Sequence, residues 1–145
     1  MDKGAAVGLT ACAGGLIALQ APINSGLGRG VGTLAAASIS FFVGTVTLIA
    51  ITAIAGDAKL GGAAHLPWYY FVGGLLGAAY VTTALVTVRT LGAGGTTAAT
   101  ITGQLATSVV IDRLGILGLP QRPLSVARIA GVVLLAAGVF LIVRD

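Results

Sequence analysis

Residues Thr33–Ala55 read TLAAASISFFVGTVTLIAITAIA, a run of 23 residues with no charge, proline or amide. At a rise of roughly 1.5 Å per residue, a helix over this run is about 35 Å long, enough to cross about 30 Å of hydrocarbon. Four further apolar stretches surround it: Ala5–Ile23, Trp68–Val88, Thr96–Ile111 and Leu124–Val143. The fourth in chain order is the weakest, being short, rich in Thr and closed by Asp112-Arg113. It is counted because the connection between the third and fifth would otherwise hold an unexplained apolar tract. The fold expected is all-α, a bundle of five transmembrane helices forming a single transmembrane domain over residues 1–145.

Composition agrees. Of 145 residues, 57% are hydrophobic and 8% charged, against about a quarter charged in a soluble domain. So few charges cannot cover a water-facing surface, so the solvent must be mostly lipid. The 23 glycines suit membrane helices, which associate by close backbone approach. The net charge of +4 does not indicate nucleic acid, because the basic residues stand singly at segment ends and form no phosphate-binding face. Leu9-Thr10-Ala11-Cys12 has the outline of a lipoprotein cleavage site. The apolar run continues past it, however, where a signal's apolar region should precede the cut. Cys12 is read as a small packing residue.

The connections Asn24–Gly32, Gly56–Pro67, Arg89–Gly95 and Asp112–Pro123 are too short for a domain and dense in turn-forming residues. With five spans the termini lie on opposite sides. Lys3, Lys59, Arg113, Arg122 and Arg128 fall on the N-terminal side, and Arg29, Arg89 and Arg144 on the other. That slight excess leans toward a cytoplasmic N-terminus and leaves insertion in both orientations open. Residues 27–35 and 91–99 share Leu, two Gly, Thr and Ala, Gly28 falling opposite Gly92. The echo is either a parallel repeat of helix pairs or a coincidence of Gly/Ala/Thr-rich sequence. Transporters commonly build alternating access from two units of inverted orientation; here a second copy would have to supply one.

No Asp, Glu, Lys or His lies near the middle of a span, which removes a proton-coupled site on a central carboxylate. Neutral polar residues remain. Gln20 and Asn24 are four apart and share a face if the helix continues that far. Pro22 lacks an N–H, which frees the carbonyl of Ala18. Either these groups form a coordinating patch, or they cap a helix end. Thr97, Thr100, Gln104, Ser108 and Asp112 form a stripe along one helical face, which should turn toward a cavity or a partner helix. The amide of Gln104 needs several partners, which favours the cavity. Asp112 sits where the helix dipole disfavours an anion, so a cation, Arg122 or Arg128, is expected beside it as a salt bridge, with a coupling role as the alternative. Gly73 and Gly77 allow close helix contact, and Tyr80 either faces the cavity or packs. Trp68, Tyr69 and Tyr70 read as headgroup anchors. The hydroxyls Ser38, Ser40, Thr45 and Thr47 read as packing, and His65 as solvated.

Glycine-rich residues 26–32 lack the Lys-Ser/Thr of a phosphate loop and follow no strand. A single His and a single Cys give neither a metal cage nor a nucleophile–base pair. No catalytic residue, metal site or cofactor is expected.

Leu19-Gln20 with Asn24 and Leu27-Gly28 lie at the end of the first span. Pro67-Trp68 leads into Gly73-Gly74-Leu75-Leu76-Gly77-Ala78-Ala79-Tyr80-Val81, Gly103-Gln104 follows, and Arg122-Pro123-Leu124 precedes a helix with Gly131 and Gly138. In this order and spacing, the chain resembles the drug/metabolite transporter superfamily, in particular its YdcZ-like branch of small five-helix bacterial proteins. The resemblance implies a multi-pass protein of the bacterial inner membrane, assigned to export. The related four-helix multidrug exporters work as antiparallel dimers around a glutamate in the first helix. This chain has Gln20 and no acid nearby, so their proton exchange does not carry over.

The function expected is transport of a small polar or neutral solute by alternating access. A second copy, or a close paralogue, completes a dimer of antiparallel subunits in the lipid bilayer. Gln20, Asn24, Tyr80, Thr100, Gln104 and Ser108 are the pathway candidates and Asp112 the coupling or salt-bridge candidate. The alternatives are a non-transporting membrane subunit that binds a partner protein, and a passive channel.

Overall fold

A computed structural model describes residues 2–56 and 60–144. Lys59, one of the cations on the N-terminal side, lies outside them. Every regular element among the described residues is helical: α1 (Lys3–Val31), α2 (Thr33–Ala55), two short 3-10 turns (Leu60–His65 and Trp68–Phe71), α3 (Val72–Leu114) and α4 (Val126–Val143). Contacts divide the chain into two compact units, Met1–Arg89 and Thr90–Asp145, each described by itself.

Among the described residues, four helices are long and apolar enough to cross a membrane. This corrects the expectation of five separate spans. Trp68–Val88 and Thr96–Ile111 were to be parted by a loop over Arg89–Gly95, but they run together in α3. Within α3 only Gly92 leaves helical geometry, at φ 68 and ψ 175. The expected loop Asn24–Gly32 shrinks in the same way. Helix α1 runs through Pro22 to Val31, and Gly32 alone, at φ 89 and ψ 155, separates it from α2. That region of backbone space is essentially open only to glycine, so one residue suffices where the sequence reading expected several. The turn-forming glycines at 26, 28, 30, 94 and 95 stay helical because their backbone groups have no water to bond in a bilayer.

In the first unit, Asp2 caps α1, its Oδ1 accepting from the Ala5 N–H at 2.8 Å. The Gly32 N–H donates to Gly28 O at the other end (3.0 Å). Small residues make the packing: Ala36 and Ala37 of α2 are buried, as are Gly28 of α1 and Val81, Ala84, Leu85 and Val88 of α3. A Cβ on Gly28 would lie 3.0 Å from Leu85 Cδ2 and 3.6 Å from Ala36 Cβ, so three helices converge there. Most large apolar side chains point outward, Ile54 being 88% exposed. In water this would be an inverted protein; in lipid it is the expected arrangement.

In the second unit, the α3 C-terminus is closed by the loop that follows. The Arg122 N–H donates to Asp112 O (2.7 Å) and Gln121 Nε2 to Arg113 O (2.9 Å). These bonds satisfy carbonyls that a helix end leaves without partners. Ser125 caps α4, its Oγ accepting from the Arg128 N–H at 3.3 Å.

Candidate functional site

Two kinds of bond recur among the hydroxyls of the described helices. Thr10, Ser38, Thr47, Thr87 and Thr102 each donate to a carbonyl one turn back in their own helix, at 2.8 to 3.1 Å. These side chains are satisfied locally and need no partner element. Ser25 and Ser40 instead accept across helices. Asn24 Nδ2 donates to Ser40 Oγ at 3.1 Å, and Arg89 Nε donates to Ser25 Oγ at 3.1 Å. Asn24 and Ser25 are both buried.

Because α1 continues past Pro22, Gln20 and Asn24 do share a face, and neither caps a helix end. Gln20 lines a cleft of about 210 Å³ with Ser40, Phe41, Gly44, Thr45 and Leu48 of α2. The cleft exists because Gly44 leaves it open, and its polar groups are one amide and two hydroxyls. One helical turn further along α1, the Asn24–Ser40 bond closes it. Beyond that, the guanidinium of Arg89 rests on Gly28, where a Cβ would lie 2.9 Å from Nη2. Tyr80, in the same unit, is half-buried.

The second unit carries the stripe. Gln104 and Ser108 are exposed on α3, while Thr97 and Thr100 are half-buried. Among the described residues the Gln104 amide has no hydrogen-bond partner. Asp112, at the end of the stripe, has its Oδ2 3.2 Å from Arg128 Nη1, and both side chains are 31% exposed. The cation beside it is thus Arg128 of α4, while Arg122 contributes its backbone N–H. Thr96 is buried and its Oγ1 finds no partner among the described residues.

Three participants were missed in the sequence: Ser25, Ser40 and Arg89. For the α1 face the signal was present. Gln20, Asn24 and Gly28 recur at intervals of four, a spacing that only makes sense if the helix runs through the expected loop. Ser40 had no such mark, because α2 is apolar all round and its hydroxyls look alike in sequence.

The model of the family described as "Putative inner membrane exporter, YdcZ" matches residues 5–141, spanning all four helices. The chain belongs to the YdcZ family. It is accordingly a multi-pass protein of the inner membrane. No curated protein and no solved structure matches it. The features this YdcZ-family chain offers for function are the Gln20 cleft, the Asn24–Ser40 bond and the α3 stripe with Gln104 exposed on it.

Proposed function

We propose that this YdcZ-family protein is an exporter of a small polar or neutral solute, acting by alternating access as a dimer of antiparallel subunits. The observation that carries the reading is Gln104, an amide exposed on a membrane helix and without a partner among the described residues. Leaving such an amide in hydrocarbon costs about 4–8 kcal/mol. That cost is removed if Gln104, Ser108 and Thr100 face a wet pathway completed by a companion subunit, a second copy or a close paralogue. Family membership supports export, and the near balance of basic residues between the two sides supports dual insertion. Gly92 divides the 43 residues of α3 into arms of about 30 Å each, either of them long enough to cross the hydrocarbon. The solute crosses without chemical change, and the Gln20 cleft of the first unit offers a further set of polar groups.

Reconstitution of the purified protein into liposomes tests this. Saturable solute flux is expected, falling at least tenfold in Gln104→Leu while the variant keeps its helical circular dichroism. Undiminished flux in Gln104→Leu would remove the site. The exposed stripe equally fits a partner helix of another membrane protein. No flux from the purified protein alone, together with co-purification of a distinct membrane subunit lost in Gln104→Leu, would establish that second reading. Non-saturating flux would point to a channel.

A further inference from the structure

Within the second unit, α4 and the part of α3 from Leu91 onward line a groove of about 580 Å³. One wall is Leu91, Ala99 and Thr102, the other Ala136, Val139, Phe140 and Val143, and Arg144 stands at one end. Thr102 offers the groove no free donor, since its hydroxyl already donates to Ala98 O at 3.1 Å. Apart from Arg144 the lining is therefore apolar in effect. Gly95 brings the helices together at the Arg144 end, where a Cβ would meet Val143 Cγ2 at 3.4 Å. Further along, Ala99 and Ala136 leave room. The guanidinium carbon of Arg144 lies 6.0 Å from the centre of the Phe140 ring, which fixes the charge over the groove's aromatic wall.

We propose that this groove is a binding site for one anionic phospholipid of the surrounding bilayer, with an acyl chain along the groove and the phosphate on Arg144. From Ala136 to Arg144 the groove runs about 12 Å along the helix axis, most of the roughly 15 Å depth of one leaflet's hydrocarbon. The cation stands at the end of α4, where a headgroup would lie. A basic group at the mouth of an apolar space between transmembrane helices is the recurring arrangement for acidic headgroups. The charge selects this occupant: a zwitterionic lipid fills the same groove but brings its own cation, and a small free anion leaves the apolar walls empty. The site serves no step of the transport proposed above and stands whether or not that reading holds.

The test uses a single reporter. Trp68 is the one native tryptophan, so Trp68→Phe with Phe140→Trp places the sole indole in the groove. The protein is reconstituted into vesicles of phosphatidylglycerol and phosphatidylcholine, with bromine on the acyl chains of one lipid or the other. Bromine on phosphatidylglycerol should quench as if that lipid were enriched about fivefold at the indole, the value of one basic residue near a membrane surface. Arg144→Gln should bring the enrichment to unity, and Ala99→Leu, which fills the groove, should reduce quenching by both lipids. Arg122→Gln, outside the groove, should leave the preference intact. Equal quenching by both lipids, or an unchanged preference in Arg144→Gln, overturns the proposal. So does a preference lost equally in Arg122→Gln, which would mark general surface charge. No quenching by either lipid would show the groove covered by a second copy, and full competition by soluble glycerol phosphate would show a free-phosphate site; either result also refutes it.

Discussion

Gly28→Ala sets two opposing effects against each other, and the structure says which wins. Alanine is favoured over glycine in a helix by about 1 kcal/mol, so in open space the change should stabilise. At Gly28 the space is not open: the new methyl would lie 2.9 Å from Arg89 Nη2 and 3.0 Å from Leu85 Cδ2. Leu85 is completely buried and cannot retreat, which places the substitution among overpacking changes costing about 1–3 kcal/mol. Arg89 can move, but only by giving up its bond to Ser25, and a hydrogen bond to a charged group is worth about 1.5–3 kcal/mol. With both costs at their lower ends, as suits an arginine that is itself exposed, the net loss is about 1.5 kcal/mol. Gly30 supplies the control, since it lies on the same helix and an added methyl there would meet nothing within 4 Å. Gly30→Ala should be neutral or stabilising by up to about 1 kcal/mol, separating the two variants by about 1.5–2.5 kcal/mol. Equilibrium unfolding in mixed detergent micelles, followed by circular dichroism, measures both. A Gly28→Ala protein as stable as Gly30→Ala would refute the convergence of three helices on Gly28.

Three further outcomes follow from the same geometry. Gly92→Ala should cost about 1–3 kcal/mol, the strain of a side chain at φ 68 and ψ 175, in the same unfolding measurement; a neutral result would mean that the break is not fixed there. Asp112→Asn should cost less than about 1 kcal/mol, because the pair with Arg128 is a third exposed on both sides and such pairs contribute little. The backbone bond from Arg122 to Asp112 O survives the change, so a loss of several kcal/mol would reveal a network beyond the pair. In a Cys12→Ser background, single cysteines at positions 2 and 144 should each react in part with an impermeant maleimide in intact cells. Complete labelling of one and none of the other would establish a fixed orientation.

The class of the fold was legible because hydrocarbon imposes one requirement that composition reveals: long apolar runs whose backbone bonds itself. Thr33–Ala55 is bounded in the structure as the sequence bounds it. The connections were misread because the rules for turn residues are calibrated in water. There, Gly26, Gly28 and Gly30 would release backbone groups to solvent; here those groups stay bonded within α1, and only Gly32, which leaves the helical region, ends the helix. Of the candidate site, the α1 face could be read from its spacing and the α3 stripe from its period. The partners of Asn24 and of Arg89 could not. A hydrogen bond to Ser40 or Ser25 depends on which hydroxyl meets which helix, and nothing in an apolar, aperiodic α2 marks Ser40 above Ser38.

The two break glycines give a better frame for the polar residues than the sequence echo did. The echo set Gly28 against Gly92, but the backbone makes Gly32 the counterpart of Gly92, one helical turn later, and Arg29 and Arg89 then fall at the same place, three residues before each break. Counted from its own glycine, Ser40 lies as far beyond Gly32 as Thr100 beyond Gly92, about 12 Å along the helix. Gln20 lies as far before Gly32 as Tyr80 before Gly92, about 18 Å, and Gln104 about 18 Å beyond Gly92. Within some 30 Å of hydrocarbon, every one of these distances falls near the middle. Interfacial polar residues cost little and need no explanation; amides and hydroxyls at mid-depth are expensive unless water or a partner meets them. Chance placement would scatter them along the spans. Each of these residues stands about mid-span when counted along its own helix from its own glycine, which is the position the proposed pathway requires of its polar groups.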